Sequence, residues 1–266
     1  MISRRSMLAG GLALPALAGC GGQPTSQSTA YAPNSGRPGI DAVIDISHNV
    51  TVTSFTAVRR SNILAVIHKV SEGGDWLDPS YTPRRRQAEA AGLLWGGYHF
   101  GTRQYSGEQQ AASFLAACKP GPQTVMALDL EPNDANPRNT MRLDQAEAFV
   151  LAVQKATGRL PMLYAHPAWA NGEVYGRRRL SLGASVARGS LLSRCELWLA
   201  DYREEPRLPN AWSSWKIWQY VADETVQNFA YGSEPRHVEG VGHCDRNMFN
   251  GDAASLNRFW KNGGRS

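Results

Sequence analysis

The sequence predicts an α/β protein folded as one β/α barrel. Short apolar runs alternate with helical patterns from Gly39 onward. Eight such runs occur, enough to close a barrel, with parallel strands early and fewer helices late. Polar side chains gather at the carboxyl ends of those runs, where barrels of this class carry their chemistry. The length of 266 residues and the hydrophobic content of 42% suit one large core. The 26 glycines and 15 prolines imply many turns rather than a helical bundle.

The amino-terminal segment stands outside that pattern. Residues 1–19 join a charged start to an apolar run too short to span a bilayer. The pair Arg4-Arg5 resembles a twin-arginine export signal, and Leu17-Ala18-Gly19-Cys20 resembles a bacterial lipobox. On that reading Cys20 is lipidated and becomes the first residue, and several acyl chains hold the chain on a membrane at about 0.8 kcal/mol per buried CH₂. Gly21 in place of an aspartate points to the outer membrane of a Gram-negative cell, facing the periplasm. An ordinary secretory signal with an incidental cysteine is the competing reading. Residues 20–38 are polar, with glycine and proline, and read as a flexible tether. Residues 39–266 form the folded unit. Without Arg4 and Arg5 the balance is 26 basic against 23 acidic residues, or +3, too mild to argue for nucleic acid.

Within the folded unit the expected strands cover residues 42–47, 63–69, 94–100, 124–131, 160–164, 196–200, 216–220 and 238–245. The expected helices cover 83–91, 107–118, 141–157 and 252–260. Ser106 and Gln109 form a capping box for the second helix, and Gly158 ends the third. Of the remaining cysteines, Cys195 and Cys244 fall on expected strands, so buried free thiols are expected; Cys118 completes the set.

The fourth strand is the chemical centre. It ends in Asp129-Leu130-Glu131 and stops at Pro132. Alternation puts Asp129 and Glu131 on one face, with Cβ atoms roughly 6.5–7 Å apart. Adjacent acids raise each other's pKa, so one can stay neutral while the other is charged. A glycosidase needs that division: a proton donor, and an anion near developing positive charge. An isolated Asp-x-Glu is more often a solvated strand end. Here the other strands end in polar groups too. Asp45 closes the first; Lys69, Ser71 and Glu72 the second; Tyr98 and His99 the third; Tyr164 the fifth. Asp201 and Tyr202 close the sixth, Gln219 and Tyr220 the seventh, and Asp245 the eighth.

These segments resemble glycoside hydrolase family 25, the Chalaropsis-type lysozymes. The resemblance rests on Ile44-Asp45-Ile46-Ser47, Ile67-His68-Lys69-Val70-Ser71-Glu72-Gly73, Gly97-Tyr98-His99-Phe100 and Leu128-Asp129-Leu130-Glu131. Leu163-Tyr164, Leu197-Trp198-Leu199-Ala200-Asp201-Tyr202, Ile217-Trp218-Gln219-Tyr220 and Cys244-Asp245-Arg246-Asn247-Met248-Phe249 follow in order. It implies a modified TIM-like barrel, about five β/α units followed by three further strands. It also implies cleavage of the β-1,4 bond between N-acetylmuramic acid and N-acetylglucosamine in peptidoglycan glycan strands. Glu131 becomes the general acid, and Asp129 orients the substrate's acetamido group. Asp45 and Asp245 are the other two acids of the cleft. Lys69, Glu72, Tyr98, His99, Tyr164, Asp201, Tyr202, Gln219 and Tyr220 become the expected substrate-binding residues. Participation of the acetamide suits two acids on one strand better than a nucleophile about 5–5.5 Å across the scissile bond. Glu131 is expected to hold the resting proton, and Asp129 the charge.

The sequence departs from the family pattern in places. Ser71 replaces the usual threonine, and the stretch after Asn49 differs. Residues 170–194 form a long loop with Arg177-Arg178-Arg179, either a solvated insertion or a contact for anionic glycan or a partner. A catalytically weak binding module and a chitinase-like glycosidase remain as alternatives. The six histidines are scattered with no His-Glu-x-x-His, and no Gly-x-Ser-x-Gly occurs, so neither a metal ion nor another cofactor is expected. His99 suits a cleft residue and a core histidine equally. Trp218 and Tyr220 alternate with Gln219, so the aromatic set should face the core and the other residue the cleft. The chain is expected to act as a monomer.

Overall fold

The structure is a computed structural model that describes residues 39–222 and 238–266. The expected signal, Cys20 and the tether lie outside the described residues. The strands are β1 (Ile40–Ile46), β2 (Ala65–Glu72), β3 (Trp76–Leu77), β4 (Leu94–Phe100), β5 (Val125–Asp129), β6 (Met162–Ala165), β7 (Leu197–Ala200), β8 (Ile217–Val221) and β9 (Asp245–Phe249). The α-helices are α1 (Phe55–Arg60), α2 (Tyr81–Ala90), α3 (Gly107–Cys118), α4 (Leu143–Thr157), α5 (Pro167–Ala170) and α6 (Ala253–Lys261).

Eight strands close a mixed barrel. From β1 through β8, leaving aside β3, neighbours pair in parallel. Strand β9 is antiparallel to both β8 and β1 and completes the ring. The two-residue β3 folds back on the end of β2.

The alternation of side chains builds two cores. Ile44, Ile46, Val66, Met126, Leu128, Leu130 and Trp218 join Phe114, Phe149 and Trp169 in the layer between barrel and helices. Val43, Ile67, Val125, Ala127, Trp198, Ile217 and Phe249 fill the interior. Leu256, Phe259 and Trp260 of α6 join that interior cluster near the amino-terminal strand ends. Each such side chain contributes roughly 1.5–3 kcal/mol on burial. Helices α3 and α4 meet backbone to backbone at Gly107, where a Cβ would lie 2.1 Å from the Gln145 carbonyl oxygen. The Ser106/Gln109 capping box and the left-handed Gly158 cap form as expected.

The eighth strand of the barrel differs from the expectation. The run from Val238 is a turn: Val238 and Gly242 exchange both backbone hydrogen bonds, 3.1 and 2.7 Å. Gly240 and Gly242 adopt φ of +91° and +84°. Asp245 therefore opens a strand rather than ending one. Because that strand is antiparallel, its first residue lies where the parallel strands finish, so the expected placement at the barrel mouth survives the error. Cys195 and Cys244 also precede their strands, β7 and β9, instead of lying on them. All three cysteines are buried, and Cys118 and Cys195 are free thiols. Helix α2 begins two residues before its expected start, with Pro83 in its first turn, where no backbone N–H is required.

Candidate active site

Asp129 and Glu131 arise from the end of β5. Leu128 and Leu130 are buried in the helix-facing core, so Asp129 points into the barrel mouth. The strand ends at Asp129, and the Leu130 amide still donates to the Tyr164 carbonyl at 3.0 Å, which carries the alternation on to Glu131. Asp45 comes from β1, with Ile44 and Ile46 facing the helices. Its backbone partner in β9 is Asp245.

Gln219 ties this second pair of acids together. Its amide nitrogen donates to Asp45 Oδ1 and Oδ2 at 3.2 and 3.0 Å and to Asp245 Oδ2 at 3.3 Å. Its oxygen accepts the Tyr164 and Tyr202 hydroxyls at 2.7 and 2.9 Å. Two hydroxyl donors on the oxygen fix which way the amide faces. Asn247 is fixed in the same manner. Trp198 Nε1 donates to its oxygen at 2.7 Å, and its nitrogen donates to Asp45 Oδ2 at 2.8 Å. Burial pushes the Asp45 carboxyl up to about 6, against the downward pull of Asn247, Gln219 and Asp245.

Tyr98 joins the two halves of the mouth. Burial, and then Asp45, Asp129, Asp245 and Glu131, raise its hydroxyl well above the usual range. Its ring stands edge-on to Trp198, with centroids 6.0 Å apart. Lys69 bonds Glu72 at 2.7 Å and lies 5.0 Å from the ring centroids of Trp76 and Phe100.

Burial and then Glu131 hold the Asp129 carboxyl well above the usual range, although Lys69 pulls it down. The structure thus favours a neutral Asp129, against the expected charge. The reason is solvation: Asp129 is buried, whereas Glu131 is half-buried. Asp129 Oδ1 is buried with no hydrogen-bond partner among the described residues.

Three expected binding residues face elsewhere. His99 is a core histidine: Ser71 Oγ lies 2.9 Å from Nδ1, Gln110 Oε1 lies 3.1 Å from Nε2, and the ring stacks on Phe149. Burial lowers it to about 4. Tyr220 points outward, because Gln219 takes the inward position, and its hydroxyl donates to Asp41 Oδ2 at 2.7 Å. Asp41 also pairs with Arg246 at 2.7 Å. The Asp201 carboxylate accepts the Arg207 amide at 2.8 Å and organises the loop after β7. Tyr164, Tyr202, Gln219, Tyr98, Lys69 and Glu72 remain at the mouth. Asn247, Trp198 and Trp76 were missed. Asn247 could have been found, since it alternates with Arg246 and shares a face with Asp245.

Asp45 gives a pH dependence with a definite sign. Its folded value of about 6 exceeds the ordinary 3.8, so the native state holds this proton more tightly. The resulting stabilisation is complete below about pH 4 and is lost as pH rises through about 6, for a total of about 3 kcal/mol. Buried His68 and His99 and half-buried His166, each lowered to about 4, act in the opposite sense, as their contribution is lost when pH falls. The difference in melting curves between wild type and Asp45→Asn isolates the carboxyl. That difference should change by about 3 kcal/mol between pH 4 and 7. A pH-independent difference would mean that Asp45 titrates normally.

Converging carboxylates on the carboxyl-terminal rim of a β/α barrel suit glycoside hydrolysis by paired acids, and the chain is a glycoside hydrolase by family. The sequence specifies which one: residues 44–229 match the model of glycosyl hydrolases family 25, and the chain belongs to that family. It is 24% identical over 249 residues to Lysozyme M1 of Streptomyces globisporus, a match covering 90% of this chain and 76% of that protein. It is 28% identical over 211 residues to the N,O-diacetylmuramidase of a Chalaropsis species, covering 74% and 92%. A bacterial lysozyme from Streptomyces coelicolor shares the fold with a TM-score of 0.69 at 24% identity, over 85% of this chain and 99% of that one.

Proposed function

We propose that the chain cleaves the β-1,4 bond between N-acetylmuramic acid and N-acetylglucosamine in peptidoglycan, with Glu131 as general acid and the substrate's acetamide as nucleophile. The observation that carries this reading is the polar mouth itself, where Gln219 binds Asp45 and Asp245 and β5 ends in Asp129 with Glu131 two residues on. The Asp129/Glu131 pair shares a proton that rests on the more buried Asp129. An acetamido N–H at the unpartnered Asp129 Oδ1 favours the anionic form of that carboxyl. The proton then belongs to Glu131, beside the leaving oxygen. As the glycosidic C–O bond breaks, the acetamide oxygen bonds to C1 and Glu131 protonates the departing oxygen. The Asp129 anion stabilises the positive oxazolinium. Water next attacks C1 and gives a proton to Glu131, which restores the acetamide with retained configuration. Asp45 and Asp245, held by Gln219 and Asn247, shape the far side of the mouth.

Digestion of purified peptidoglycan followed by mass spectrometry tests the reading. New reducing ends should be muramic acid. Glucosamine ends, or no cleavage, would reject it. The same proposal places the enzyme on a membrane through lipidated Cys20. Wild type should fractionate with membranes, and Cys20→Ala should not. A soluble periplasmic wild type starting at Gly21 or later would reject the anchor.

A further inference from the structure

We propose that the turn Gly176-Arg177-Arg178-Arg179 binds carboxylates of the peptide stems on the glycan, so that the enzyme prefers peptide-bearing strands. This rests on the muramidase reading above. The turn closes a small hairpin: Tyr175 and Leu180 exchange backbone hydrogen bonds of 2.8 and 3.0 Å, and the Arg179 amide donates to Gly176 at 3.1 Å. Its base is fixed to the catalytic end of the barrel. The Tyr175 ring stacks on His166, with centroids 4.0 Å apart and planes 21° apart. His166 directly follows β6 and caps α5 through Nδ1, which accepts the Ala168 amide at 3.2 Å. Strand β6 pairs with β5, whose last residue is Asp129, so the hairpin stands beside the strand end that carries the paired acids. A Cβ on Gly176 would lie 3.9 Å from Asp134 Oδ1.

The arginines do nothing visible for the fold. All three are exposed, and among the described residues none of their guanidinium groups makes an ion pair or hydrogen bond. Arg179 also takes a left-handed φ of +52°, unfavourable for a residue with a Cβ. Three adjacent like charges repel, and local conflicts of this kind concentrate at functional positions. The neighbouring loop adds Arg203 and Arg207 near His166, but also Glu204 and Glu205, so the positive excess is greatest at the turn. Guanidinium groups match carboxylates two bonds at a time. Peptide stems leave the glycan from the lactyl group of muramic acid. A sugar seated at Glu131 would therefore project its anionic stem from the cleft rim.

The test compares wild type with Arg177→Gln/Arg178→Gln/Arg179→Gln on intact peptidoglycan and on glycan strands stripped of peptide by an amidase. On intact material KM should rise about tenfold with kcat unchanged, the scale of a few exposed ion pairs. Stripped strands should be cut equally by both proteins, and the triple lysine variant should recover part of the loss. Co-sedimentation with intact and stripped sacculi reads the same preference without catalysis, so it still reports if the muramidase reading fails. Equal loss on both substrates, or no loss on either, would overturn the proposal. Displacement from sacculi by a phosphate polymer but not by free stem peptide would overturn it in favour of a phosphate contact.

Discussion

Glu131→Gln should bind glycan as wild type does and turn it over more slowly by on the order of 10²–10⁴, the usual worth of general acid catalysis. The amide keeps size and shape and lacks only the transferable proton. Asp129→Asn should also slow turnover, for a different reason. On the proposed mechanism it removes the anion that orients the acetamide and stabilises its developing charge. An aryl glycoside with a leaving group that needs no protonation separates the roles. Glu131→Gln should recover much of its first-step rate on that substrate, while Asp129→Asn should not. Burial at Asp129 sharpens the contrast. On the proposed mechanism Asp129, whose burial raises its carboxyl, holds the shared proton before substrate arrives, so Asp129→Asn also removes that group. Equal rescue of both variants, or full activity of Glu131→Gln on peptidoglycan, would show the roles to be assigned wrongly.

The strand ends were legible because alternation is a local rule. Ile44 and Ile46 outward dictate Asp45 inward, and Leu128 and Leu130 outward dictate the Asp129/Glu131 pair. The same rule sends Tyr220 outward, opposite Gln219, but left His99 open until its neighbours decided it. Gln110 from α3 receives His99 behind the wall, and Asp41 from β1 receives Tyr220 on the outer face. Both partners are remote in sequence or lie on another element, so no local pattern reveals them. The β9 error has a similar origin. Val238 and Val241 make the run look apolar, but they lie three residues apart rather than two, and Gly240 and Gly242 at positive φ bend it into a turn. Charge states were the least legible feature. Two adjacent acids look equivalent in sequence, and only the structure shows that they differ in burial.

Arg159→Met should lower the melting temperature by about 10 °C while leaving kcat/KM at 25 °C unchanged. Arg159 follows the Gly158 cap of α4, is 8% exposed, and makes no ion pair among the described residues. Its guanidinium is satisfied instead by four backbone carbonyls. Nη1 donates to Pro122, Thr124 and Gly263 at 3.1, 3.0 and 3.1 Å, and Nη2 donates to Gly121 at 3.0 Å. These bonds fasten the loop that leads into β5, the strand that carries Asp129, to the residues that follow α6. Methionine fills similar space with no donor, so the four carbonyls lose a shared partner. Each orphaned acceptor costs about 1–3 kcal/mol when water cannot replace the bond. Partial relaxation brings the expected loss to about 3–5 kcal/mol. Lysine offers three donors from a single point and cannot span the same fork, so Arg159→Lys should recover no more than about half. Activity should survive because the clamp precedes β5 and the acids follow it, at the other end of the barrel. A melting temperature within about 2 °C of wild type would mean that water takes over these carbonyls and the clamp contributes little. A fall in kcat/KM at 25 °C without loss of folded protein would mean that the start of β5 moves and carries Asp129 with it.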